Sequence, residues 1–162
     1  MHVKRTLCLL GLGLIATAAA YALGHPHFLR APSARLGSPK VIINWAEAGL
    51  GNTGSGITYT ASATAGAKFQ CVKTGHVCPK PGAKEEVLYN VHVSGTFSVD
   101  KNGKISDTLV IPAPESTLVC PQYQHVVIAS VVFTNITLED TTNDISSAAN
   151  PSSLAYNGPE CP

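Results

Sequence analysis

The chain is poor in the residues that mark several large functional classes. Its 162 residues hold 11 Lys and Arg against 10 Asp and Glu, and neither sign is gathered into a run. It has no basic stripe to neutralise nucleic-acid phosphates and no basic amphipathic helix to lie on a membrane. Nucleic acid is therefore excluded as an expected partner. After residue 24, no segment long enough to span a bilayer lacks charges and turn residues, so no membrane span is expected in the mature chain. Helical periodicity is scarce beyond the same point. Nor is there a P-loop or a Gly-x-Ser-x-Gly nucleophile elbow. Neither a Cys-x-x-Cys pair nor a matching His spacing is present, which argues against zinc.

What is present begins with an export signal. Lys4 and Arg5 precede an apolar run from Leu7 to Ala20, and small residues follow it, the three parts of a secretory signal peptide. Cys8 lies inside the apolar core, too early to serve as a lipid-attachment site. Residues 1–24 are read as the signal, with cleavage after residue 22 as the alternative. The expected localisation is secreted or extracellular, with the periplasm as an alternative. Cleavage after Gly24 leaves 138 residues, one domain of ordinary size. It also leaves four cysteines, Cys71, Cys78, Cys120 and Cys161. An even number in an oxidising compartment reads as two disulfides, with three pairings open.

The strand signals are strong. Val41 to Trp45 is rich in β-branched and aromatic residues and stops at a Gly-rich turn. From Ile57, Tyr59, Ala61 and Ala63 alternate with Thr and Ser, which predicts a strand with small side chains inward under a closely packed layer. Val87, Tyr89, Val91, Val93, Phe97 and Val99 share one face of the clearest strand, Glu86 to Val99. The turn Asp100-Lys101-Asn102-Gly103 then predicts a hairpin returning over Lys104 to Ile111. Pro112 and Pro114 end that strand, and His125 to Leu138 reads as a long central one. The expected fold is an all-β antiparallel sandwich, Ig-like or Greek key, with a small Greek-key barrel as the alternative. The domain is expected over 25–140, followed by an irregular tail over 141–162 tied back by Cys161.

Several stretches together carry a resemblance. They are Pro26-His27-Phe28, Trp45-Ala46-Glu47-Ala48-Gly49-Leu50-Gly51, Cys71-Val72, Gly95-Thr96-Phe97, Lys101-Asn102-Gly103, Cys120-Pro121 and Leu138 to Asn143. The chain resembles a group of small exported bacterial proteins, uncharacterised and β-rich. The likeness covers most of the mature chain, and its most specific piece is the Glu-Ala-Gly-Leu-Gly turn. It implies export, a β-rich domain and the pairs Cys71–Cys120 and Cys78–Cys161. It carries no activity, ligand or catalytic residue.

Few residues offer chemistry. If cleavage follows Gly24, the α-amine and imidazole of His25 could chelate copper, with His27, His76, His92 or His125 completing a nitrogen site. Cleavage after residue 22 would remove that chelate. Glu47, beside Gly49 and Gly51, is a candidate ligand-facing acid, although a turn glutamate capping backbone amides is the plainer reading. Glycoside hydrolysis would need a second carboxylate opposite it, and the sequence names none. Glu139, Asp140, Asn143 and Asp144 offer oxygen ligands for calcium without EF-hand spacing, and solvated acidic loop residues are the commoner case. His92 and His125 could belong to a hydrolase triad, but no nucleophile is identified. Asn135-Ile136-Thr137 has the glycosylation pattern but falls in mid-strand. No catalytic residue is assigned. The leading expectation is a non-catalytic exported β-domain that needs no cofactor and either binds a protein, a glycan or an envelope component or serves a structural role. A copper protein is the alternative, and a hydrolase ranks third.

Overall fold

A computed structural model describes residues 25–51, 54–79 and 82–161. The signal-peptide reading and Cys8 lie outside the described residues. Nine strands and no helix make up the described chain. They are β1 (His27–Phe28), β2 (Ser33–Leu36), β3 (Val41–Ala48), β4 (Ile57–Lys73), β5 (Lys84–Phe97), β6 (Ile105–Ile111), β7 (Gln124–Asp140), β8 (Ile145–Ala148) and β9 (Leu154–Asn157). In one sheet β3 is central, pairing with β1 and β2 on one side and β6 on the other. The other sheet runs β5-β4-β7, with β8 and β9 both on the far side of β7. All these pairings are antiparallel, and the two sheets face each other as a β-sandwich.

The period-two pattern does what it predicts. On β4, Ile57, Tyr59, Ala61, Ala63, Ala65, Ala67 and Phe69 all point into the core. They meet Val131, Phe133, Ile136 and Leu138 from β7 and Val41, Ile43, Trp45, Leu109 and Ile111 from the other sheet in one cluster. The four alanines keep β4 thin, so larger side chains from its neighbours fill the space. At one end of the core the rings of Trp45, Tyr59 and Phe97 meet, with centroids 4.9, 5.1 and 5.8 Å apart. Such aromatic pairs add roughly 0.5–1.5 kcal/mol each beyond their buried area.

The outer face of β4 is stitched to its neighbours by hydroxyls. Thr58 bonds Thr96 at 2.9 Å, Thr60 bonds Ser94 at 2.7 Å and Ser62 bonds Thr137 at 2.8 Å. This is the wet face of the sheet.

Three features differ from expectation. The predicted hairpin is not one. The turn at Asp100–Gly103 forms, with Gly103 at φ 69° and its N–H bonded to the Asp100 carbonyl. But β6 pairs with β3 in the opposite sheet, not with β5. The apolar faces of β5 and β6 therefore face each other across the core, and alternation alone does not distinguish this arch from a hairpin. Second, the tail over 141–162 is not irregular, because β8 and β9 extend the larger sheet. Their polar composition suits edge strands buried on one face only. Third, the barrel alternative is met at one edge alone. There Ala34 N–H bonds the Asn150 carbonyl at 3.1 Å and Asn150 N–H bonds the Pro32 carbonyl at 2.7 Å. At the other edge β5 and β6 have no pairing among the described residues.

Two disulfides staple the sandwich, Cys71–Cys120 and Cys78–Cys161, with Cα atoms 5.6 and 5.5 Å apart. These are the pairs that the resemblance implies. The first ties β4 to the segment following β6, and the second ties the β4–β5 connection to the C-terminal end. Gln70 secures the same end by accepting the Cys161 N–H at 2.9 Å and donating to the Pro159 carbonyl at 2.6 Å.

Candidate functional site

Two places concentrate chemistry, one sealed in the core and one on the surface. The sealed one is built around Glu47. On β3 the inward positions are Val41, Ile43, Trp45 and then Glu47, so strand phase drives a carboxylic acid into the apolar end of the sandwich. Glu47 is 0% exposed. Neither of its oxygens completes a hydrogen bond, nor do the Trp45 Nε1 and Tyr59 hydroxyl beside it.

Asp140 joins this cluster through a bulge. Along β7 the inward residues are Ala129, Val131 and Phe133, and the phase then flips to Ile136, Leu138 and Asp140. The flip falls where the β4–β7 register slips between Ser62 and Thr64, at Asn135 with φ 53°. Without it Asp140 would face solvent; with it, Asp140 is buried opposite Tyr59. Unlike Glu47, Asp140 is well supplied with donors. Its Oδ1 accepts the Thr142 and Asn143 N–H groups at 2.9 and 3.0 Å, and Oδ2 accepts Asn143 Nδ2 at 2.6 Å.

The electrostatic consequence falls on Glu47. Loss of hydration pushes its carboxyl up from 4.5 to about 7, and the neighbouring Asp140 adds to the rise. The Tyr59 hydroxyl and the His27 charge oppose it, with less effect. Burial, followed by the Glu47 charge, likewise raises the Tyr59 phenol above its ordinary value.

Asp140 is thus the second carboxylate that sequence reasoning did not place opposite Glu47, because a bulge is invisible to a strict period of two. The pair nonetheless has no open face: both residues are 0% exposed. The neighbouring glycine is also accounted for within the chain. A Cβ on Gly49, at φ 79°, would lie 2.1 Å from the carbonyl oxygen of His25. The close backbone approach there is made by the protein's own N-terminal segment rather than by a ligand.

The other candidate residues are dispersed. Glu139 and Asp144 face solvent while Asp140 points inward and Asn143 serves it, so the acidic segment does not converge on one point. His25 and His27 lie together, with His27 Nδ1 2.7 Å from the His25 carbonyl oxygen. His76 and His125 meet at the opposite end of β4, with ring centroids 6.4 Å apart, roughly 40 Å away along that strand. His92 stands mid-sheet on the outer face, opposite Ser62, so it does not meet His125. Among the described residues no group of three or more His, Cys, Asp or Glu is placed to hold a metal ion.

The surface site is a groove of about 500 Å³ along the outer edge of β5. One wall is Tyr89, Asn90, Val91 and His92; the other is Pro112 to Glu115, with Thr117. The second wall belongs to a strap from Pro112 to Cys120 that crosses from the smaller sheet to the larger. Glu85 fixes the strap at one point. Its carboxylate accepts the Ser116 and Thr117 hydroxyls and the Thr117 and Leu118 N–H groups. These donors hold the Glu85 carboxyl below its usual value. Tyr89 has the strand phase of the inward face of β5, yet it is 48% exposed and lines this groove.

Comparison with family models, curated proteins and solved structures gives no match to this chain. Its function is therefore argued from its own residues.

Proposed function

We propose that this is an exported, disulfide-stapled domain that binds its target through its surface and performs no catalysis. One contrast supports the reading. The carboxyl groups best placed for acid–base chemistry are sealed in the core, whereas the open concavity combines an aromatic ring, apolar proline walls and a few polar groups. That mixture is typical of binding sites: apolar contact supplies affinity, and sparse hydrogen-bonding groups orient the ligand. The export signal and the two disulfides fit a domain that works outside the cell, where bridges persist. No helix among the described residues is long and apolar enough to cross a membrane.

The test has two arms. Purified mature protein is assayed against chromogenic glycosides and esters, and retention on isolated envelope material is measured in parallel. The expected result is no turnover, with retention that Tyr89→Ala weakens while the melting temperature stays within a few degrees. Turnover that disappears in Glu47→Gln would overturn the proposal.

A further inference from the structure

Among the described residues β5 is the terminal strand of its sheet and pairs only with β4. Its register against β4 runs without a break from Phe97 to Lys84, so no bulge twists the edge away. From Val87 to Phe97 it has no proline, no lysine and no carboxylate. Natural proteins ordinarily blunt an exposed edge with those very devices, because a row of unpaired N–H and C=O groups is a template for another strand. Among the described residues the strap lies alongside this stretch of the edge. Among the same described residues it makes no backbone hydrogen bond to β5; the Glu85 side chain accepts its hydrogen bonds, and Ala113 and Leu118 pack against the core as Val87, Val91 and Val93 do. Pro112 and Pro114, which face the groove, have no N–H to offer.

The groove's dimensions favour a single extended chain. Its strand wall is four residues long, Tyr89 to His92, about 13 Å of extended backbone. A chain laid there would meet polar backbone on the β5 side and apolar rings on the strap side. The side chains set the preference. Tyr89, half exposed, offers a ring face to an apolar or aromatic residue. Glu115 is the one carboxylate of the lining, and it complements a lysine or arginine.

We propose that the edge of β5 between Tyr89 and His92 binds an extended polypeptide segment of another protein by strand addition. That segment carries an apolar residue against Tyr89 and a basic residue against Glu115. Backbone hydrogen bonds supply the affinity, and alternate side chains supply the selectivity. This rests on the surface-binding reading above and names its ligand class.

The experiment pans a phage-displayed library of short unstructured peptides against the mature, oxidised protein. The enriched peptides are expected to alternate apolar and polar residues and to carry Lys or Arg at a fixed offset. Their binding should slow amide exchange across Tyr89–His92. N-methylation at every second peptide residue should weaken binding about tenfold, since each lost backbone bond is worth about 1.4 kcal/mol. The intervening positions should tolerate it. Glu115→Gln should weaken only the peptides that carry a basic residue. Strand addition is overturned if no peptide is enriched, if every N-methyl position is tolerated, or if a bound peptide leaves β5 exchange unchanged. It is overturned equally if β5 is protected only by concentration-dependent dimerisation of this chain. Chito-oligosaccharides perturbing Tyr89 and His92, with no peptide enriched, would sink strand addition and leave the surface-binding reading standing. Catalytic turnover would sink that reading itself.

Discussion

Glu47 makes this protein's stability fall as pH rises from about 4.5 to about 7. In the unfolded chain its carboxyl has the ordinary value of 4.5, and in the fold it is held up to about 7. Below 4.5 both states are protonated, and the fold has its full stability. Between the two values the unfolded state releases its proton while the folded state keeps it. Stability therefore drops by about 1.4 kcal/mol per pH unit across that window. Above about 7 the folded form is ionised as well, and the loss is complete at ~3 kcal/mol. For a domain of this size that amounts to roughly 10 °C in melting temperature. Glu47→Gln keeps the shape and removes the titration. The assay is thermal and urea unfolding of both proteins from pH 4 to pH 8.5, read as their difference so that surface histidines cancel. The two should agree within about 1 kcal/mol at pH 4, with the variant ahead by ~3 kcal/mol at pH 8. Parallel pH profiles would refute the claim that burial raises this carboxyl.

Three further outcomes follow from packing and covalent structure. The Cys71–Cys120 and Cys78–Cys161 bridges span sequence separations of 49 and 83. Removing either as a double serine variant should cost about 4 kcal/mol on the loop-entropy model, read as a lowered urea midpoint. Ala65 is fully buried on β4, so Ala65→Leu should overpack the core and cost about 1–3 kcal/mol by thermal unfolding. Thr64→Val, on the wet face of the same strand, should stay within about 0.5 kcal/mol. Asn135 occupies a left-handed conformation, so Asn135→Gly should be nearly neutral, whereas Asn135→Val should cost about 1–2 kcal/mol in the same assay.

Strand positions were legible because their causes are local. The alternation of Ile57, Tyr59 and the alanines, or of Val87, Tyr89, Val91 and Val93, follows directly from pleat geometry. What escaped was the partner of each strand. The Asp100–Gly103 turn reads identically whether the chain folds back within one sheet or arches to the other, and β6 takes the second course. The strands at Ile145 and Leu154 were hidden by polar composition, since their stability comes from pairing with β7 rather than from their own residues. The sealed cluster was half legible. Glu47 stood out beside its glycines, but its carboxylate neighbour depended on the phase flip at Asn135. Strand phase places Tyr89 on the same face as Val87, Val91 and Val93. Its exposure and its place beside the strap show that it lines a groove instead.

The two edges of the sandwich are treated unequally, and the difference bears on function. On one side the Ala34 N–H donates to the Asn150 carbonyl and the Asn150 N–H donates to the Pro32 carbonyl, so backbone hydrogen bonds join the two sheets there. On the β5 side the same solution was available in principle, because β6 lies close by and Leu109 reaches toward Gly95. The chain instead sends a proline-bearing strap past that edge, fixed by Glu85 at one point and by Cys120 at the other end. Proline cannot donate to a ladder, so the strap narrows the gap without filling it. If the edge needed only protection, pairing or a lysine would provide it at lower conformational cost. A groove bounded on one side by a strand edge unpaired among the described residues, and on the other by prolines that cannot donate to it, accommodates an added chain more readily than it excludes one.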